Sequence, residues 1–380
     1  MHKLGSLLSR TVCFYVLLSA VTFGQGASTI RSASAGSVSA DLQALYARTQ
    51  TVLTEAEVTE IARTCTQVIS RTDRSSTDRQ YATKLFAWAL NRRGEMRSEQ
   101  AGNLVAKGQL AEAAKLDRLA TADFKTSLEH NPDSWRAHHN YGISLAMGGA
   151  YNAAIEEFST AISLNDEYAN LYFNRGELHF ELTHYELAID DYNQAIALAP
   201  DDAQYFNSRG HCKFMLDHTT DAIQDYRRAA EIDHKNATYR TDLADACQYI
   251  GDWESAAVAY REAIGLDNKN VRAYQSAAWL MATCPDNKIR NVELALEAAR
   301  RARDLETKPS SRTLDTLAVA TAATGKYTEA AKLQRQAIEI SSADEREELK
   351  SRLSLYEKGQ SYMRDPQVRT ASANGQRGSR

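Results

Sequence analysis

The sequence predicts an all-α fold, an α-solenoid of stacked antiparallel helix pairs, and three observations carry that expectation. Gly142, Gly176 and Gly210 stand 34 residues apart, and Ala244 and Ala278 continue the step. A second series, Ala154, Ala188, Ala222 and Ala256, keeps the same interval, and Phe158, Tyr192, Tyr226 and Tyr260 follow four residues later. Within each period the apolar positions recur at three and four, which is helical spacing. With only 5 prolines in 380 residues, little interrupts the helices. A fixed period of this kind marks one hairpin repeated, because a lone hairpin cannot bury its apolar face and must stack on a copy.

Composition excludes some function classes. Hydrophobic residues make up 43% and charged residues 25%, as in a folded soluble chain. The formal net charge of −4 and the lack of a basic stripe argue against a nucleic-acid binder.

Residues 1–24 have the parts of a secretory signal. Lys3 and Arg10 precede an apolar run from Thr11 to Val21, and Gly24 suits the last residue removed. The run is shorter than the roughly 20 residues of a spanning helix. Cleavage, no integral membrane span afterwards and a periplasmic or secreted location are therefore expected, with an N-terminal anchor as the alternative. Residues 25–40 are rich in Ser, Ala and Gly and read as a flexible spacer.

Residues 41–134 read as a divergent helical region. Thr54 resembles an N-cap followed by early acidic residues, ahead of a helix from Val58 to Ser70. Asn91–Met96, NRRGEM, matches Phe173–Leu178, FNRGEL, which places Arg93 and Gly94 on the repeat frame. About 14 surplus residues, around Asn103 to Leu116, then separate the two halves of this copy, and their Ala, Leu and Lys content favours longer helices over a loop.

The regular array spans 135–340, in copies 135–168, 169–202, 203–236, 237–270, 271–308 and 311–340, the fifth having a longer turn. Small residues at the eighth place let the second helix approach closely, and the aromatic on that helix fills the space beside them. The core stripe of each first helix is placed at positions 4, 8 and 11. Pro200 stops one helix and Asp202 caps the next, with Asn131–Ser134 doing the same upstream. Gly149, Gly251 and Gly325 mark the tight turns within hairpins. A charged helix at 343–362 is expected to cap the array, ahead of a disordered basic tail at 363–380.

These features together, with Ala161, Ala195, Ala229 and Ala263 at place 27 and Pro200 at place 32, resemble the tetratricopeptide repeat (TPR). The resemblance covers roughly Ala87 to Ile340 and implies a right-handed superhelix of antiparallel helix pairs. The phrase WLMATCPD at Trp279–Asp286 resembles a variant found in exported bacterial TPR proteins, where it marks a lengthened turn. Arg175, Arg209 and Lys213 depart from the pattern and suggest exposure at an edge or groove.

The resemblance also implies a concave groove lined by places 2, 5, 9, 12 and 13 of the first helices, receiving a peptide or protein ligand. That mapping selects Arg136, His139, Phe173, Glu177, Phe180, Asn207, His211, Phe214, Asp245, Gln248, Tyr249 and Trp279. Aromatics and amides suit recognition of a peptide. Glu177 and Asp245 would repel a carboxylate and favour a partner bearing Lys, Arg or a free amine. No catalytic residue, cofactor or metal is expected. Cys284 reads as a turn residue, and His138, His139, His179 and His211 fall on core and groove places that do not converge. The expected role is a non-enzymatic adaptor or scaffold outside the cytoplasm. A structural component that self-associates through its array ends is the second reading.

Overall fold

A computed structural model describes residues 38–52 and 54–364. The segment expected to be a signal, most of the expected spacer and the residues beyond Arg364 lie outside them. The described residues hold seventeen helices and no strand, and none of these helices is long and apolar enough to cross a membrane. The chain divides between Pro200 and Asp201 into two compact units.

The first unit opens with α1 (Ala40–Thr49), α2 (Glu55–Ser70), α3 (Ser76–Ala106) and α4 (Leu110–His130). Val38 is already buried, and the Ser39 N–H donates to Asp78 at 2.9 Å, so the end of the predicted spacer belongs to the fold. Thr54 closes a capping box with Glu57, which satisfies two backbone donors that the first turn of α2 would leave open. Leu42, Val58, Ile61, Cys65 and Leu85 form one apolar cluster under these helices. The hairpin of α3 and α4 takes up the surplus residues as helix, 31 and 21 residues long, about a three-residue turn at Lys107–Gln109 where Gly108 has φ +75°.

Two regular hairpins complete this unit: α5 (Trp135–Met147) with α6 (Tyr151–Leu164), and α7 (Ala169–Glu181) with α8 (Tyr185–Leu198). The second unit continues with α9 (Ala203–Met215), α10 (Thr219–Ile232), α11 (Ala237–Ile250), α12 (Trp253–Leu266), α13 (Val271–Thr283), α14 (Val292–Leu305), α15 (Ser311–Ala323) and α16 (Tyr327–Ile340). Ser134, Asp202, Asn236, Asn270 and Ser310 each accept a backbone N–H at the start of a first helix.

Small meets large in every regular hairpin. Ala154, Ala188, Ala222, Ala256 and the aromatics Phe158, Tyr192, Tyr226 and Tyr260 are all at most 3% exposed. A Cβ built on Gly176 would lie 2.9 Å from the Tyr192 ring, one on Gly210 2.8 Å from Tyr226, and one on Gly94 2.5 Å from Phe124. At these distances even alanine would push the ring, so the glycines set how closely the helices pack.

The buried stripe of the first helices differs from the expected 4, 8 and 11. In α7 the buried residues are Leu171, Phe173, Asn174, Gly176 and Leu178, while Tyr172 and His179 are only half-buried. A first helix inside the array touches its own second helix, the preceding second helix and the neighbouring first helix. Three neighbours cover more of its circumference than the single stripe of a two-helix contact.

Arg175, Arg209 and Lys213 are likewise not groove residues. Arg175 grips Asp191 through two N–H bonds of 2.7 and 3.0 Å, and Arg209 grips Asp225 at 2.6 and 2.9 Å, with Lys213 2.7 Å from the same carboxylate. Both aspartates are buried on the second helix of the same hairpin. Arg93 and Asp123 repeat the clamp at 2.6 and 2.9 Å. Their separation is 30 residues against 16 in the regular copies, which restates the 14-residue surplus as geometry.

The last helix, α17 (Ala343–Glu357), is shorter than the predicted cap. It is held by charge as well as by apolar cover. Arg352 donates twice to buried Asp315 at 2.8 Å, Gln334 donates to Asp315 at 2.8 Å, and Leu349 and Tyr356 are buried.

Five of the six regular hairpin turns keep one backbone conformation, the lengthened turn after α13 being the exception. Gly149 (φ +80°), Gly251 (+86°) and Gly325 (+82°) occupy it, but so do Thr183 (+62°) and Asp217 (+67°) at the equivalent place. A β-branched residue is strained there. Thr183→Gly is expected to stabilise the protein by about 1 kcal/mol, the strain relieved less the glycine entropy. A rise in the urea midpoint at unchanged slope would show this.

Candidate functional site

In the first unit, the residues selected for the groove separate into two groups. His139 and Phe173, both at place 5, are buried. The His139 ring lies 5.9 Å from Phe158 and 5.7 Å from Tyr168, and its Nε2 accepts from Asn174 Nδ2 at 3.0 Å. Phe173 packs at 5.8 Å on Tyr192. Place 5 faces the neighbouring first helix instead of solvent, and in the second unit Asn207, Thr241 and Gln275 are buried at the same place. His139, Asn207 and Gln275 join repeats through Asn174, Asp242 and Thr313, and the buried residues at place 5 are not presented to a ligand.

The remaining first-unit positions stay half-exposed. The Arg136 guanidinium lies 4.4 Å over the Trp135 ring. Glu177 accepts the Tyr192 hydroxyl at 2.7 Å, and Phe180 stacks at 5.6 Å on Tyr185. With Asn170 and Glu181, Glu177 and Phe180 make an acidic and aromatic strip along α7.

The Tyr192–Glu177 bond recurs in the second unit. The Tyr226 hydroxyl lies 3.1 Å from His211 Nδ1, and the Tyr260 hydroxyl donates to Asp245 at 2.5 Å and to Gln248 at 3.1 Å. In these three hairpins the core tyrosine thus reaches through the pair and meets the side chain at place 9. Burial, then the Asp245 charge, pushes the Tyr260 hydroxyl well above its ordinary pKa, so it remains a donor.

In this unit the anchored groups join a wider polar network. Asn207 donates to Asp242 at 2.9 Å, and His211 Nε2 lies 3.1 Å from Asn207 and 3.4 Å from Asp242. Arg272 bridges Asp242, at 2.7 Å, and Asp245. Burial works to raise the Asp242 carboxyl, but Arg272 and His211 outweigh it and hold the group well below the usual carboxylate range. Asp245 is therefore already neutralised by Arg272, and the expectation that it draws a cationic partner does not survive. Adjacent to this network, Phe214 is buried 4.9 Å from Tyr249, whose hydroxyl donates to Asp217 at 2.9 Å. Trp279 is half-covered by Tyr362, 5.7 Å away, and by Arg352, 5.2 Å away.

All four described cysteines are buried free thiols. Burial pushes Cys65 up to about 12 and Cys247 up to about 11, and it raises Cys284 as well, so each is a packing group and a poor nucleophile. Among the described residues no cluster of three or more His, Cys, Asp or Glu side chains could hold a metal ion.

Residues 144–182 match the family described as TPR repeat, and residues 169–202 the one described as tetratricopeptide repeat. The chain carries tetratricopeptide repeats. Solved TPR structures show likeness of fold. A tetratricopeptide repeat protein from Parabacteroides merdae is 19% identical, over 70% of this chain and 98% of that one, with a TM-score of 0.45. The Pseudomonas aeruginosa protein pilF is 15% identical over 58% and 95%, with a TM-score of 0.47. YrrB, described as a TPR protein with an unusual peptide-binding site, is 19% identical over 50% and 95%, with a TM-score of 0.42. TPR folds serve as scaffolds for protein–protein interaction.

The pairing of places 7 and 23 by Arg and Asp, and of places 9 and 24 through a tyrosine hydroxyl, was open to sequence reading. Arg175 with Asp191 and Arg209 with Asp225 repeat at a constant separation of 16. The separation of 15 for Tyr192 with Glu177 and for Tyr260 with Asp245 is equally regular.

His139 gives the first unit an acid sensitivity. Burial lowers it from 6.5 to about 4, so between those values the unfolded chain binds a proton that the folded chain does not. Stability is then full above about pH 6.5 and falls as the pH drops towards 4, by about 3 kcal/mol in all. His139→Gln, which keeps a polar group near Asn174, is expected to flatten that limb in urea unfolding between pH 7 and 4.

Proposed function

We propose that the protein is a non-enzymatic TPR scaffold that holds a peptide or protein partner along the exposed strip of its first helices, outside the cytoplasm. The observation that carries this reading is the α7 strip of Asn170, Glu177, Phe180 and Glu181, half-exposed on a hairpin whose core is otherwise closed. Glu177 is held in place by Tyr192, so the strip presents an acid in one orientation with little ordering left to do on binding. An acid pair around an aromatic ring suits an extended segment carrying Lys, Arg or a free amine beside an apolar side chain. A scaffold role also accords with buried, high-pKa thiols and with carboxylates occupied as acceptors for tyrosine hydroxyls. The leader-like residues Lys3, Arg10 and Thr11–Val21 support export.

Affinity capture from an envelope fraction with the wild-type chain and with Glu177→Gln/Phe180→Ala tests the strip. The double variant is expected to lose a specific partner about ten-fold or more, as removal of central contacts does. Equal capture by both would show that the strip is idle, and a concentration-dependent mass in light scattering would then favour assembly through the array ends. N-terminal sequencing of the protein recovered from the producing cell tests export: a first residue of Gln25 is expected, and an intact Met1 in the cytoplasmic fraction would refute it.

A further inference from the structure

From the end of α17 to Arg364 the chain stays against the second unit. Gly359 turns it back with φ +70°, and the Gln360 N–H closes the helix on the Leu355 carbonyl at 2.9 Å. The next four residues then run past the ends of successive first helices. Ser361 Oγ donates at 2.9 Å to the Ala322 carbonyl in the last turn of α15. The Tyr362 ring meets Trp279 on α13 at 5.7 Å, with the Arg352 guanidinium facing both rings. The Arg364 N–H donates at 3.2 Å to the Thr283 carbonyl that ends α13, and its guanidinium lies 5.0 Å over Trp253, which starts α12.

Each contact answers a need of the array. The last turn of a helix carries carbonyls without intrahelical donors and the negative end of the helix dipole. Arg364 brings its N–H to the Thr283 carbonyl that ends α13, and Ser361 adds a second donor at Ala322, whose carbonyl also accepts the Gly325 N–H. Trp279 and Trp253 offer flat faces, one to a ring and the other to a guanidinium. The spacing of these features matches an extended chain in which an aromatic residue precedes an arginine by two places.

We propose that the carbonyl ends of α13 and α15, with Trp253 and Trp279, form a peptide seat, and that the chain's own Ser361–Arg364 is its resident occupant. An external peptide reaches this part of the array by displacing that segment. The seat uses none of the α7 strip residues, so the two readings stand or fall separately.

Hydrogen exchange on the full chain is the first test. The Arg364 amide is expected to exchange at least about ten-fold slower than in the free peptide of residues 358–364, and an equal rate would overturn the proposal. The second test adds that peptide, fluorescently labelled, to the wild-type chain and to full-length Tyr362→Ala/Arg364→Ala, with circular dichroism confirming that the variant keeps its helix content. The variant is expected to bind the peptide at least about ten-fold more tightly than wild type, whose own segment competes at an effective concentration on the order of 1 mM. A peptide with both the tyrosine and the arginine replaced by alanine is expected not to bind. Equal binding by the two chains, no binding by the variant up to about 1 mM, or unchanged binding of the alanine peptide would each overturn the proposal.

Discussion

The close approach of two helices over a residue without a side chain is the constraint on which the rest of the structure depends. At Gly94, Gly176 and Gly210 the opposing ring stands where a Cβ would be. That contact sets the spacing of these hairpins, brings the Tyr192 and Tyr226 hydroxyls to the far side of the pair, and leaves a fixed width for the next repeat to pack against. Once the spacing is set, the polar contacts follow. The arginine at place 7 meets the aspartate at place 23, and the tyrosine hydroxyl meets place 9.

The buried aspartates of this protein are held by arginines within the fold. Arg93, Arg175 and Arg209 each hold a buried aspartate inside a hairpin, Arg272 ties Asp242 to Asp245 across adjoining repeats, and Arg352 fastens the last helix through Asp315. Removing one member of such a pair strands the other away from water, so these contacts favour one register of stacking over its neighbours. The two proposed recognition surfaces are the α7 strip in the first unit and the seat around Trp253 and Trp279 in the second.

The repeat frame was legible because it rests on size. Small residues and rings recur at one interval, and a period of 34 with helical spacing inside it admits few other architectures. The candidate site was less legible because places 4, 5 and 6 lie within about 100° steps of one another on a helix with three neighbours. Which of them is covered depends on how adjoining first helices pack, and side-chain character does not reveal it: His139 and Asn207 are polar yet buried, while Tyr172 is aromatic and half-exposed. Thr183 and Asp217 were hidden for a related reason. The turn geometry is imposed by the hairpin, and these residues adopt it against their own preference. Residues 361 and 362 read as the end of the capping helix, and 363 and 364 as the start of a tail, because an extended segment has no periodicity to announce that it is docked.

A tyrosine that crosses the hairpin, as Tyr192, Tyr226 and Tyr260 do, makes recognition and folding share an atom. A side chain at place 9 is both a surface feature and the acceptor that keeps a buried hydroxyl from being orphaned. Diversification of this face is therefore tethered. At place 9 a lineage exploring new partners is confined to acceptors of the right length unless the tyrosine becomes phenylalanine in the same step. The alphabet available for specificity is smaller than the exposed area suggests, and it is written by the core.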